Sequence, residues 1–84
     1  MTTWPYPVPV ARLVDFAAAH PGPFNGRVDE AIRAELGITP ARYFQLLSRA
    51  VRTREALEHD PITTNRLLAQ ANRQVRIRAA RLAI

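Results

Sequence analysis

Eighty-four residues without a cysteine make one small domain, whose core has to form without disulfides or thiolate metal sites. Hydrophobic residues are 48% of the chain but many are alanine, so a thin core is expected, and no apolar run approaches the roughly 18 residues of a membrane span. The net charge of +5 is unevenly placed: residues 1–60 hold seven Arg and all seven acidic residues, whereas residues 61–84 hold five Arg and no acid.

All the basic residues are arginine, the better-shaped donor for phosphate and guanine edges. The charge favours a polyanionic partner without saying which. The N-terminus shows neither the basic segment nor the apolar stretch of a secretory signal, so the expected location is the cytoplasm.

In chain order, Trp4-Pro5-Tyr6-Pro7-Val8-Pro9 alternates proline with bulky residues and reads as an extended arm over residues 1–9. Its aromatics are expected to lie across the helical body, and residues 1–11 have no base with which to read DNA. Val10, Leu13, Val14 and Ala17, with Phe16 beside them, predict a first helix from Val10 to about Ala19. His20-Pro21-Gly22-Pro23 stops it, and Phe24 is expected to pack down as a plug. Asn25 is an expected N-cap for a second helix over roughly 26–36, with Val28, Ala31, Ile32 and Leu36 inward.

Gly37-Ile38-Thr39-Pro40 is the organising signal. Glycine ends a helix in the left-handed conformation, threonine caps the next one, and proline suits its first position. Two helices joined so closely around a buried aliphatic predict a helix-turn-helix. In the third helix Tyr43, Leu46, Leu47, Ala50 and Val51 share one side, with Phe44 at the seam. Ala41, Arg42, Gln45, Ser48, Arg49 and Arg52 share the other side, and no acid is among them. Thr53-Arg54-Glu55-Ala56-Leu57-Glu58 predicts a short capped helix. Asp60-Pro61 then starts a long one, with Leu67, Leu68, Ala71, Val75, Ala79 and Leu82 as its apolar stripe.

An α-helix fits the major groove, where Arg42, Arg49 and Arg52 suit guanine or phosphate, Gln45 suits adenine and Ala41 a thymine methyl. Ser48 completes this set. Thr39 and the free N–H groups at the helix start suit a phosphate, and Arg66, Arg73, Arg76, Arg78 and Arg81 would add backbone affinity. The stripe from Leu68 to Leu82 also suits pairing with the same helix of a second subunit. His20 and His59 stand beside loop prolines without a nucleophile or metal-ligand spacing. Asp29, Glu30 and Glu35 read as solvated charge, and there is no phosphate-cradling glycine loop. No enzyme, metal or cofactor is expected.

The stretch from Asp29 to Leu47, and above all Arg42-Tyr43-Phe44-Gln45, resembles small actinobacterial and actinophage proteins catalogued as a domain of unknown function and often labelled helix-turn-helix. The resemblance continues through Arg54-Glu55-Ala56-Leu57 and His59-Asp60-Pro61 into Asn65-Arg66-Leu67, covering about residues 24–81. Members commonly carry two tyrosines in place of Tyr43-Phe44 and proline in place of Arg54. Leu36-Gly37-Ile38-Thr39 is also similar to the turn of many repressors and of sigma-factor promoter-reading domains. The resemblance implies a DNA-binding helix-turn-helix protein and no established biological role.

The expected fold is all-α, divided as an arm (1–9), a helix-turn-helix core with a trihelical centre (10–60) and a basic amphipathic helix (61–84), one domain in all. The expected function is binding of double-stranded DNA, as a small transcriptional regulator or phage accessory factor, nucleoid-associated when bound. The alternative is an interaction module, from a phage or its host, that modulates a host protein such as RNA polymerase or a nucleoid protein. Trp4, Tyr6, Phe44, Ile77 and Ile84 would then be the contacts. Single-stranded or structured RNA is less favoured, because Phe44 is the only aromatic expected near the basic face.

Overall fold

Capping chemistry sets the helix boundaries in residues 8–83, the part of the chain that the computed structural model describes. Helix α1 is Val10–Ala19 and α2 is Gly26–Ala31, which continues as a π-helical turn over Ile32–Leu36. Helix α3 is Pro40–Ala50, α4 is Arg54–His59 and α5 is Pro61–Leu82. The described residues contain no strand, and the all-α class is as expected. The proposed packing of Trp4 and Tyr6 lies outside the described residues.

Asn25, Thr39, Thr53 and Asp60 each accept a hydrogen bond from the backbone N–H three residues on, at 3.0–3.2 Å, which satisfies donors that a helix start leaves free. Hydrogen bonds from Thr63, first through its hydroxyl and then its backbone N–H, hold the Asp60 carboxyl below its ordinary range. Gly37 ends the π turn at φ 69°, where its N–H bonds to the Arg33 carbonyl at 3.2 Å.

The core gathers around α1. Leu13, Val14, Phe16 and Ala17 are buried there, and Ile32, Leu36, Tyr43, Leu47, Ala50, Val51 and Ala56 close over them from the other helices. Val8 is buried as well, so the end of the predicted arm nearest the body belongs to the core. Burying side chains the size of Phe16, Ile32 or Leu36 contributes about 1.5–3 kcal/mol each. At its edges α1 is tied outward: Arg12 meets Glu35 at 3.4 Å, and Asp15 meets His59 at 2.7 Å. Both pairs are too exposed to add much stability.

Three expectations need correction. The second helix is not α-helical to its end, because residues 32–36 widen into a π turn. Ile32 and Leu36 stand four apart, a spacing that both windings keep roughly on one face, so periodicity cannot separate them. Phe24 is no plug: it is 51% exposed, and its ring meets Phe44 edge-on at 5.5 Å. The apolar stripe of α5 is buried only in part. Thr63 and Thr64 are the buried residues of α5, with Leu67, Leu68 and Ala71 half-buried, whereas every described residue from Asn72 onward is exposed. The Thr64 hydroxyl explains its burial, since it donates to the Ala56 carbonyl at 3.0 Å and joins α5 to α4. No helix among the described residues is long and apolar enough to cross a membrane.

Gly37 tests the turn. No atom lies within 4 Å of a Cβ added there, so Gly37→Ala meets only the cost of a left-handed backbone. Urea unfolding should show a loss of about 1–2 kcal/mol, with Gly37→Asn losing less.

Candidate nucleic-acid interface

Helix α3 has two chemically distinct sides because one of them is packed on α1. Tyr43 sits against Phe16, ring centroids 5.1 Å apart and edge to face, while Leu47 and Ala50 bury beside it. Burial pushes the Tyr43 hydroxyl up from 10.0 to about 12, so this ring stays neutral through the physiological range. With that side fixed, Ala41, Gln45, Ser48 and Arg49 face outward from the helix. Arg52 is exposed just beyond the helix end, and Arg42 is half-buried. The structure therefore exposes five of the six predicted reading residues and leaves Arg42 half-buried.

Two of these side chains are coupled. Nη1 of Arg42 donates to Oε1 of Gln45 at 2.7 Å. The bond leaves Gln45 its amide donors and a second lone pair. The helix start offers less than expected. Pro40 has no N–H, Arg42 N–H bonds to the Thr39 hydroxyl at 3.2 Å, and Tyr43 N–H bonds to the Thr39 carbonyl at 2.9 Å. Ala41 supplies the one backbone donor there without a partner among the described residues, alongside the proton of the Thr39 hydroxyl.

The second set lies on α5, where Arg66, Arg73, Arg76, Arg78 and Arg81 are all exposed. A groove of about 310 Å³ runs between the two helices, with Phe44, Leu47, Ser48 and Val51 on the α3 side and Leu67, Gln70, Ala71 and Gln74 on the α5 side. Gln74 also lines the next hollow along α5, with Ile77, Arg78 and Arg81. Arg66 lines a third, beside Phe24 and Phe44. Arg78 and Arg81 thus continue the side of α5 that faces α3, while Arg73 and Arg76 fall on the far side of the helix by rotation. Gln70 and Gln74 are missing from the predicted set. Their spacing with Arg78, one turn apart each time, carries the signal in the sequence.

Electrostatically the two helices stand apart from the rest. Among the described residues Arg12 pairs with Glu35 and Arg33 with Asp29, the His59 ring meets the Asp15 carboxylate, and neither Arg49 nor an α5 arginine enters such a pair. The acids lie on α1, α2, the π turn and α4, or cap α5 at Asp60. His20 turns its Nδ1 to the Phe16 carbonyl at 3.0 Å, and no group of three or more His, Asp or Glu gathers among the described residues.

The chain's sequence decides its kinship. It belongs to a family described as a protein of unknown function, DUF3263, whose model matches residues 15–82. No curated protein and no solved structure matches the chain. The DUF3263 match begins within α1 and runs to the end of α5, so the turn, α3 and the arginine-bearing helix all fall inside it, and the predicted arm falls outside.

Tyr43 gives this site a pH signature. Its proton is held more tightly in the folded chain than in the unfolded one, so the unfolded state binds fewer protons above pH 10 and stability falls as pH rises. The contribution is complete below pH 10 and is lost as pH climbs toward about 12. Denaturation midpoints of Tyr6→Phe, in which Tyr43 is the remaining tyrosine, should decline across that window with the rise in tyrosinate absorbance.

Proposed function

We propose that this protein binds double-stranded DNA through a helix-turn-helix, with α3 in the major groove and Arg66, Arg78 and Arg81 of α5 on the phosphate backbone. The observation that supports this best is the exposed face of α3. It presents Gln45, Ser48 and Arg49, with half-buried Arg42 beside them and Arg52 just beyond the helix end, and no acid among them, whereas an ordinary solvated face mixes charges of both signs. The three-residue turn Gly37–Thr39 and the threonine cap agree with it. The coupling of Arg42 to Gln45 sharpens the proposed readout. The pair would present itself as a unit, its guanidinium toward guanine and its amide toward an adjacent adenine.

Reading and gripping divide between the helices. Base preference belongs to Arg42, Gln45 and Arg49, and most of the salt-sensitive affinity to α5, on which the net charge falls. A role as a small regulator or phage accessory factor follows from DNA binding at this size. The competing role, capture of a host protein, draws on the half-exposed Phe24 and Phe44, which line a hollow together with Arg66.

Selection of bound duplexes from a random pool, followed by titration of the winner, separates the two. For about five phosphate contacts, affinity should fall roughly 500-fold between about 50 and 200 mM salt. A largely apolar protein contact would change little. Arg42→Ala or Gln45→Ala should relax preference by about 1–3 kcal/mol at one base pair, and the double variant should lose less than the sum because the two act together. Binding of every duplex by Arg42→Ala/Arg49→Ala as tightly as by the unmodified chain would overturn the proposal.

A further inference from the structure

The outer half of α5 is a helix without a body to rest on. From Asn72 to Leu82 all its residues are exposed, with Val75 at 63% and Leu82 at 82%. These eleven residues extend about 16 Å, and helices of this length gain little stability in water without packing. Starting from Leu68, which is half-buried against the core, Asn72, Val75, Ala79 and Leu82 follow at alternating steps of four and three. That is the a/d seam of a two-stranded coil, with Asn72 as a polar a position of the kind that fixes register. The seam turns roughly 100° away from the side of α5 that faces α3, so it leaves the proposed DNA face free.

The flanking charges choose the orientation. In this register Arg76 is an e position and Arg78 a g position. A parallel pair sets Ala71 beside Arg76 of the second copy and Arg78 beside its Ala83, so no arginine opposes another. The antiparallel alignment that keeps the same layers in contact sets Arg76 against Arg76 and Arg78 against Arg78. We propose that a second copy of this chain covers the seam, its α5 lying parallel and in register.

The pairing goes beyond DNA binding and responds to salt in the opposite sense. Two α5 helices side by side concentrate arginine, so screening favours the pair, whereas the same ions weaken a phosphate complex. The chain lacks cysteine, so a single introduced thiol reports unambiguously. In the absence of DNA, the sedimentation mass should rise from one chain toward two with concentration, and more at about 0.5 M than at about 0.05 M salt. In a glutathione redox buffer Leu82→Cys should form a disulfide-linked dimer faster than Ala80→Cys, whose thiol lies off the seam. Val75→Arg should stay one chain at every concentration with its helical circular dichroism intact. A mass fixed at one chain, or Leu82→Cys no faster than Ala80→Cys, would overturn the seam, while the DNA titration stands or falls on its own.

Discussion

The contact between the rings of Phe16 and Tyr43 fixes the rotation of α3, and the surface chemistry of the molecule follows from that rotation. Phe16 is 1% exposed and Tyr43 3%, so the pair is buried in the core, where aromatic pairs add about 0.5–1.5 kcal/mol beyond their burial. A helix has a fixed angular spacing. Once Tyr43, Leu47 and Ala50 point inward, Gln45, Ser48 and Arg49 must point out. The Thr39 cap and the left-handed Gly37 set where that helix starts.

The distribution of charge gives this geometry its meaning. Acids and their partners tie α1 to the π turn and to α4 and join α2 to the π turn, which leaves α3 and α5 with arginine and no carboxylate of their own. A groove separates the two basic helices, lined by Phe44, Leu47, Val51, Leu67 and Ala71 together with polar Ser48, Gln70 and Gln74. The proposed division between a reading helix and a gripping helix rests on this arrangement, and the proposed pairing of two chains uses a third side of α5. One 22-residue helix would thus serve the body, a phosphate backbone and a second copy along different faces.

Much of this was legible in the sequence where a residue type has one physical use. Asn25, Thr39, Thr53 and Asp60 before helix starts, and Gly37 after a helix end, mark boundaries because few other side chains do that work. The 3.6-residue period separated the two sides of α3 for the same reason. Legibility failed where burial depends on partners distant in sequence. Thr63 and Thr64 look like surface residues until the Ala56 carbonyl is placed against Thr64. Phe24 looks like core until the loop that carries it is seen to lie beside Phe44. The α5 stripe reads as one continuous apolar face, but the body ends partway along it, and only the folded chain shows where.

Amide chemical-shift mapping during titration with a selected duplex tests the central claim most directly. The account predicts that the largest changes fall at Thr39–Arg52 and on the arginine-bearing stretch of α5, with α4 and the outer surface of α2 little affected. Changes centred on Leu57, Glu58 and Ile62, or a spectrum unmoved by saturating duplex, would contradict it.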